Sequence, residues 1–445
     1  MNKGSNVIDA MAGLESQWLP FTPNRAFKQD PIVFERAEGN YYFTPEGDKV
    51  LDGSSGLFTT PAGHGRREIA EAVRDQMLRL DYTSSFLRSH PASWAAILAV
   101  TRLLPRELRQ IFFVNSGSEA VDTAVKIALQ YHRCRKEASR TMFVSRERAY
   151  HGSNLSGVAL SGIASNRREF GAPLLPVVHM RHTWLEANRF QPGQGAYGAE
   201  LANDLLRLIQ LHGAENIAAC IVEPIAGSCG VLAPPVGYLE RLREICDEFG
   251  VLLIFDEVIC GFGRTGAAFA AQSFGVTPDL MTMAKAITNG IVPMGAVAVK
   301  QEIYDTIVDS APTLRTEMFH GYTGSAHPVA CAACIAAQEI YETEGLFARA
   351  AQLSELFLKS LFQLSGAPGV VDVRGYGMLA AVEIDPAVIG SDGYAVQKEL
   401  VRRGLHVKVT GNNLIVAPPF TSSPQELDFI AFRIAEVCQA GLDTN

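Results

Sequence analysis

An α/β fold, with one large doubly wound, mostly parallel sheet domain and a smaller α+β domain built from both chain ends, is predicted by three features of this 445-residue chain. Through the middle, short β-branched runs alternate with longer helical patterns, as parallel strands joined by crossover helices require. From about Val329 the pattern changes to a long Ala-rich helix followed by closely spaced strands. Near the other end, YYFTPEGDKVLDG reads as a hairpin that is expected to pack with the C-terminal unit. The predicted division assigns residues 66–328 to the large domain, and residues 1–65 with 329–445 to the small one.

Taken in order, IFFVNSGSEA is a strand, a turn and a helix start, and RTMFVSRERAYHG is a strand entering a polar loop. NIAACIVEPIAG, VLLIFDEV and DLMTMAKAITNG repeat the scheme, with YLERLREICDEFG as a helix between two of them. GAVAVK supplies a further strand. The tail continues through CAACIAAQEIYETEG as helix, then VVDVRGYGMLAAVEI, GLHVKV and NLIVAPP as strands.

Composition narrows the function. A chain that is 47% hydrophobic and 19% charged is globular. A net charge of −8 without blocks of like charge disfavours nucleic acid and anionic membranes as partners. The N-terminal stretch lacks the continuous apolar core of a signal peptide, so the expected location is the cytoplasm. Cys331 and Cys334 form C-x-x-C among Ala and Ile, which reads as small core residues rather than a redox pair. His179 and His182 lack acidic or thiol partners nearby in sequence, so no metal is expected.

Ligands of open α/β sheets collect at the carboxyl ends of strands. After IFFV come Asn115, Ser116, Gly117, Ser118 and Glu119, opening a helix. Ser116 and Glu119 have capping-box spacing. Free N–H groups and hydroxyls there can seat a phosphate, although the same residues would cap a helix with no ligand. After VLLIF comes Asp256, a carboxylate that is costly there without a cation or donor. After DLMTMA comes Lys285, where desolvation lowers the pKa of an amine. These two lie about one strand–helix–strand unit apart.

Phosphate seat, carboxylate and desolvated lysine together describe a site for pyridoxal 5'-phosphate. The lysine forms a Schiff base with its aldehyde, and the carboxylate keeps the pyridine nitrogen protonated. Tyr150 and Val258 are placed to cover the two faces of the ring. The rival motif is Gly261-Phe-Gly263-Arg-Thr-Gly266, which fits G-x-G-x-x-G. It lies mid-chain, is separated from its strand by Asp256 to Ile259, and lacks a strand ending in an acid at the proper distance. It is read as a loop turning tightly beneath the cofactor.

The segments SGLFTTPAGHGRREI, NSGSEA, AYHG, LLIFDEVICGFGRTG, FGVTPDLMTMAKAITNG and HGYTGSAHPVACAA resemble the class III aminotransferases of fold type I, and within them the ω-amino acid:pyruvate (β-alanine:pyruvate) branch. The likeness covers essentially the whole chain. It implies ping-pong transfer of an amino group from an ω-amino acid or simple amine to pyruvate. Lys285 would carry the Schiff base, and Asp256 would pair with the ring nitrogen. Gly117 and Ser118 would hold the phosphate, Tyr150 and Val258 would sandwich the ring, and Glu223 would line the site. Thr323 would reach the phosphate of a neighbouring subunit, which makes the active unit a homodimer or tetramer. An aminomutase or decarboxylase on this fold would share the cofactor residues, whereas a non-catalytic cofactor sensor would need a partner module for which the chain has no spare segment.

Substrate contacts are expected from Trp18, Phe58, Lys408 and Ile415. Three of these depart from the branch, with Phe58 for Trp, Lys408 for the Arg that clamps the acceptor carboxylate, and Ile415 for Gln. Gly324 replaces a bulky Tyr and is expected to enlarge the pocket. Lys cannot copy the two-pronged grip of Arg, so the departures fit either a weaker single-point clamp or a changed donor or acceptor.

Overall fold

A computed structural model of the protein describes residues 12–171, 175–389 and 393–440. Its central sheet has seven strands among the described residues, in the order Leu108–Val114, Gly295–Lys300, Leu280–Met283, Leu252–Asp256, Ile217–Val222, Met142–Arg146 and Val177–Met180. The neighbouring pairs from Leu280–Met283 through Val177–Met180 are parallel, while Gly295–Lys300 runs antiparallel to both of its neighbours. The Ile217–Val222, Leu252–Asp256 and Leu280–Met283 strands are buried at every position, which explains why they read as continuous apolar runs. Val177–Met180 was not foreseen. It is a four-residue edge strand ending in VVHM, too short to show a period.

The helix Gly117–Cys134 buries Ala120, Val121, Ala124, Val125 and Ala128 against the sheet. Tyr238–Phe249 crosses over between two strands and ends at Gly250, whose φ of 65° permits the left-handed cap. Pro328–Thr343 packs against helices Arg67–Arg79, Pro91–Thr101 and Leu346–Phe362. Cys331 and Cys334 lie buried within it as free thiols.

Both chain ends meet in a second sheet. The hairpin of Tyr41–Phe43 and Lys49–Asp52 pairs with Arg36–Glu38 on one side and, in parallel, with Leu405–His406 on the other. A third sheet follows the order Val370–Tyr376, Leu379–Ile384, Asn413–Val416 and Lys408–Thr410. Among the described residues, no helix is long and apolar enough to cross a membrane.

Candidate active site

Strand ends build a cavity of about 270 Å³ lined by Ser116, Gly117, Ser118, Tyr150, Glu223, Asp256, Val258 and Lys285 among others. Five strands deliver these groups. Leu252–Asp256 ends on Asp256, and alternation sends the next carboxylate the other way. Glu257 is fully buried and accepts from Ala270 N at 2.9 Å and Ala271 N at 2.7 Å, so it serves the short helix there.

Asp256 is held on three sides. His151 Nδ1 lies 2.8 Å from its Oδ2, while Thr282 Oγ1 and Val258 N donate to Oδ1 at 3.1 and 3.2 Å. Sequence reasoning missed His151, which lies 105 positions away in the chain and comes to Asp256 only because the loop after Met142–Arg146 folds across the neighbouring strand ends. Its other ring nitrogen, Nε2, is buried without a protein partner.

Lys285 follows Leu280–Met283 and is half-buried at the cavity wall, with φ at 51° in the left-handed region. That conformation is a strain of order 1–3 kcal/mol for a non-glycine residue, and such strain concentrates at working sites. Burial pulls its amine down to about 8, with Asp256 opposing the shift and the Lys408 charge adding to it. Glu223 is also buried, which pushes its carboxyl up to about 7. It accepts from Tyr150 N at 2.9 Å and Gly227 N at 3.1 Å.

At the start of the Gly117–Cys134 helix, Ser116 Oγ caps Glu119 N at 3.2 Å. The reciprocal half of the expected capping box differs, because Glu119 accepts from Asn115 N and Asn115 Nδ2 instead. This ties down the turn before the helix and leaves the first helical N–H groups at the cavity lining. Gly152 crosses that helix start closely, since a Cβ there would lie 2.6 Å from Ser118 Oγ and 2.8 Å from its Cα.

The remaining expected contacts are placed unevenly. Phe58 is buried, and its ring centroid lies 5.8 Å from Lys285 Nζ. Lys408 is half-buried, and its charge is felt at Lys285. Ile415 is not brought to the cavity, because it is fully buried within the third sheet opposite Ala381 and Lys408. Trp18 is 91% exposed on the N-terminal arm and does not line the cavity either. Thr323 is exposed, and its carbonyl accepts from the Tyr82 hydroxyl at 3.1 Å. Gly324 does not enlarge the pocket. A Cβ there would sit 2.4 Å from Asn115 Oδ1, so Asn115 already fills the space. The G-x-G-x-x-G loop also differs from expectation. It turns away from the cavity, with Gly263 against Phe347 and Phe420 and Arg264 donating to Pro418 O at 2.7 Å. Thr59, Thr288, Gly290, Val292, Pro293 and Met294 line the cavity without having been foreseen, because no single segment marks them.

These residues suit pyridoxal phosphate. Burial brings the Lys285 amine within about one pH unit of neutrality, the carboxylate is fixed in place, and a helix start without Cβ crowding faces the same space. A family model for Aminotransferase class-III matches residues 23–437, and the chain belongs to that family of pyridoxal phosphate enzymes, with their fold type I architecture. It is 47% identical to an omega-aminotransferase of Caulobacter vibrioides, over 98% of each chain. It is 46% identical to a beta-alanine--pyruvate aminotransferase of Pseudomonas aeruginosa, over 98% of this chain and 99% of that one. A PLP-bound amine transaminase from an uncultivated Pseudomonas species superposes with a TM-score of 0.87 at 33% identity, covering 96% of this chain and 98% of its own.

Proposed function

We propose that the chain transfers an amino group from an ω-amino acid or simple amine to pyruvate. The observation that carries this reading is the buried Lys285 amine, with a pKa of about 8, sharing one cavity with the fixed Asp256 carboxylate. The names of the relatives from Caulobacter and Pseudomonas support the substrate class.

Bound pyridoxal phosphate supplies an aldehyde for covalent attachment and a ring that withdraws electrons from the donor carbon. Lys285 would hold that aldehyde through its amine, whose neutral fraction rises as the pH approaches 8. When free of that bond, the same Nζ would serve as the base that carries the donor-carbon proton. Asp256, steadied by His151 and Thr282, holds a proton at the ring nitrogen. Ser116, Gly117 and Ser118 bind the phosphate through the helix start. Tyr150 and Val258 would cover the two faces of the ring, and Glu223 lines the site. Phe58 walls the substrate side, and Lys408 grips the acceptor carboxylate with a charge-assisted contact. Donor and acceptor take turns at one site, so the kinetics are ping-pong.

A dimer or larger assembly belongs to this proposal, with Thr323 serving the neighbouring subunit's phosphate, as does a division at residues 66–328. Eight free thiols support a reducing compartment such as the cytoplasm. Incubation with β-alanine and pyruvate should yield alanine in proportion to pyruvate consumed. Borohydride reduction followed by peptide mapping should place the cofactor on Lys285; a tag on another residue overturns the assignment.

A further inference from the structure

Asp52 lies at the end of the Lys49–Asp52 strand with no exposed surface, yet its carboxylate serves four partners. Oδ2 lies 2.8 Å from His64 Nε2 and accepts from Gly56 N. Oδ1 accepts from Ser54 N at 3.1 Å and lies 3.4 Å from His406 Nδ1. The Tyr42 ring packs on His64 at 4.6 Å and edge-on to His406 at 5.7 Å. Burial pushes the carboxyl up, but the hydrogen bonds from His406 and His64 outweigh it and hold it well below the usual range.

Two segments diverge from this point. The turn bonded to Asp52 carries Ser55 at φ 47°, Gly56 at φ 68° and Phe58 at φ 64°, an unfavourable run for two side-chain-bearing residues. Phe58 then packs beside Lys285. On the other side, His406 is paired in parallel with Asp52, and the chain passes through the buried Val407 directly into the Lys408–Thr410 strand of the third sheet. A buried charged cluster is an expensive way to pack a turn, and a strained turn persists only where its surroundings hold it.

We propose that Asp52, His64 and His406 form a positioning cluster that sets the Phe58 turn and the Lys408 strand relative to Lys285, and so governs how well a carboxylate-bearing substrate is held. The proposal rests on the reading of Lys408 as the carboxylate grip. The holoenzyme variants His406→Gln, Lys408→Met and their combination separate the two ideas. Each is assayed for pyruvate KM and kcat, for bleaching of the visible cofactor band by benzylamine, and for melting temperature.

Lys408→Met should raise pyruvate KM roughly tenfold, the scale of one lost charge-assisted contact. His406→Gln should raise the same KM several-fold while the benzylamine rate stays within about twofold, because benzylamine has no carboxylate. In the double variant the two effects should not multiply, since both remove one grip. An unchanged KM in His406→Gln, or full multiplication in the double variant, overturns the cluster. An unchanged KM in Lys408→Met overturns the grip and the cluster with it. If His406→Gln fails to fold, Asp52→Asn keeps the shape and decides by the same KM readout.

Discussion

Lys285 is where residue-scale chemistry is most exposed to test. Its amine is pulled to about 8 by burial, so the neutral form dominates above that value and the protonated form below. The apoprotein should therefore capture pyridoxal phosphate about tenfold faster per pH unit up to about pH 8 and level off beyond it, as stopped-flow absorbance would record. Replacing Lys285 by Ala should lower turnover by about 10²–10⁴-fold or more while the melting temperature stays close to wild type. Asp256→Asn should keep the cofactor bound but lose most turnover, because a neutral amide cannot hold a positive ring nitrogen; cofactor content and kcat measured together check it. Lys285 and Asp256 were legible because each follows an apolar run, the one place where a lone charged residue needs explaining. His151 was not, since nothing local distinguishes a histidine that meets its carboxylate from one that faces water.

Helix and loop geometry sets the cradle around those residues. Gly152 has φ at 100°, and the space its Cβ would take belongs to Ser118. Gly152→Ala should weaken cofactor affinity and cost about 1–3 kcal/mol of stability, read by a pyridoxal phosphate titration and a denaturant melt. Helix starts and central strands could be read from the chain because their patterns are local. The edge strand Val177–Met180 could not, since its place depends on parallel pairing with Met142–Arg146. Gly324 shows the same limit from the other side. A small residue suggested open space, and only the packing shows Asn115 occupying it.

Across the whole molecule, the loop that mimics a dinucleotide motif joins the central sheet to the units built from the chain ends. Arg264 is almost completely buried and donates to Pro418 O, with Phe420 beneath its guanidinium at 4.8 Å. Burial lowers its pKa to about 10, so it remains charged at neutral pH. Arg264→Met would leave the Pro418 carbonyl unpaired and should destabilise the protein by about 1–3 kcal/mol, visible as a lower melting temperature with the cofactor band retained. By itself the sequence determined the alternating α/β order, the apolar strands and the charged residues at their ends, because burial and hydrogen-bond periodicity act over a few neighbours. Only the tertiary structure decided that Ile415 is core, that Gly261 to Gly266 turn away from the cavity, and that His151 and Asp52 join distant segments. Those outcomes depend on which surfaces meet across the fold, and no local pattern encodes that meeting.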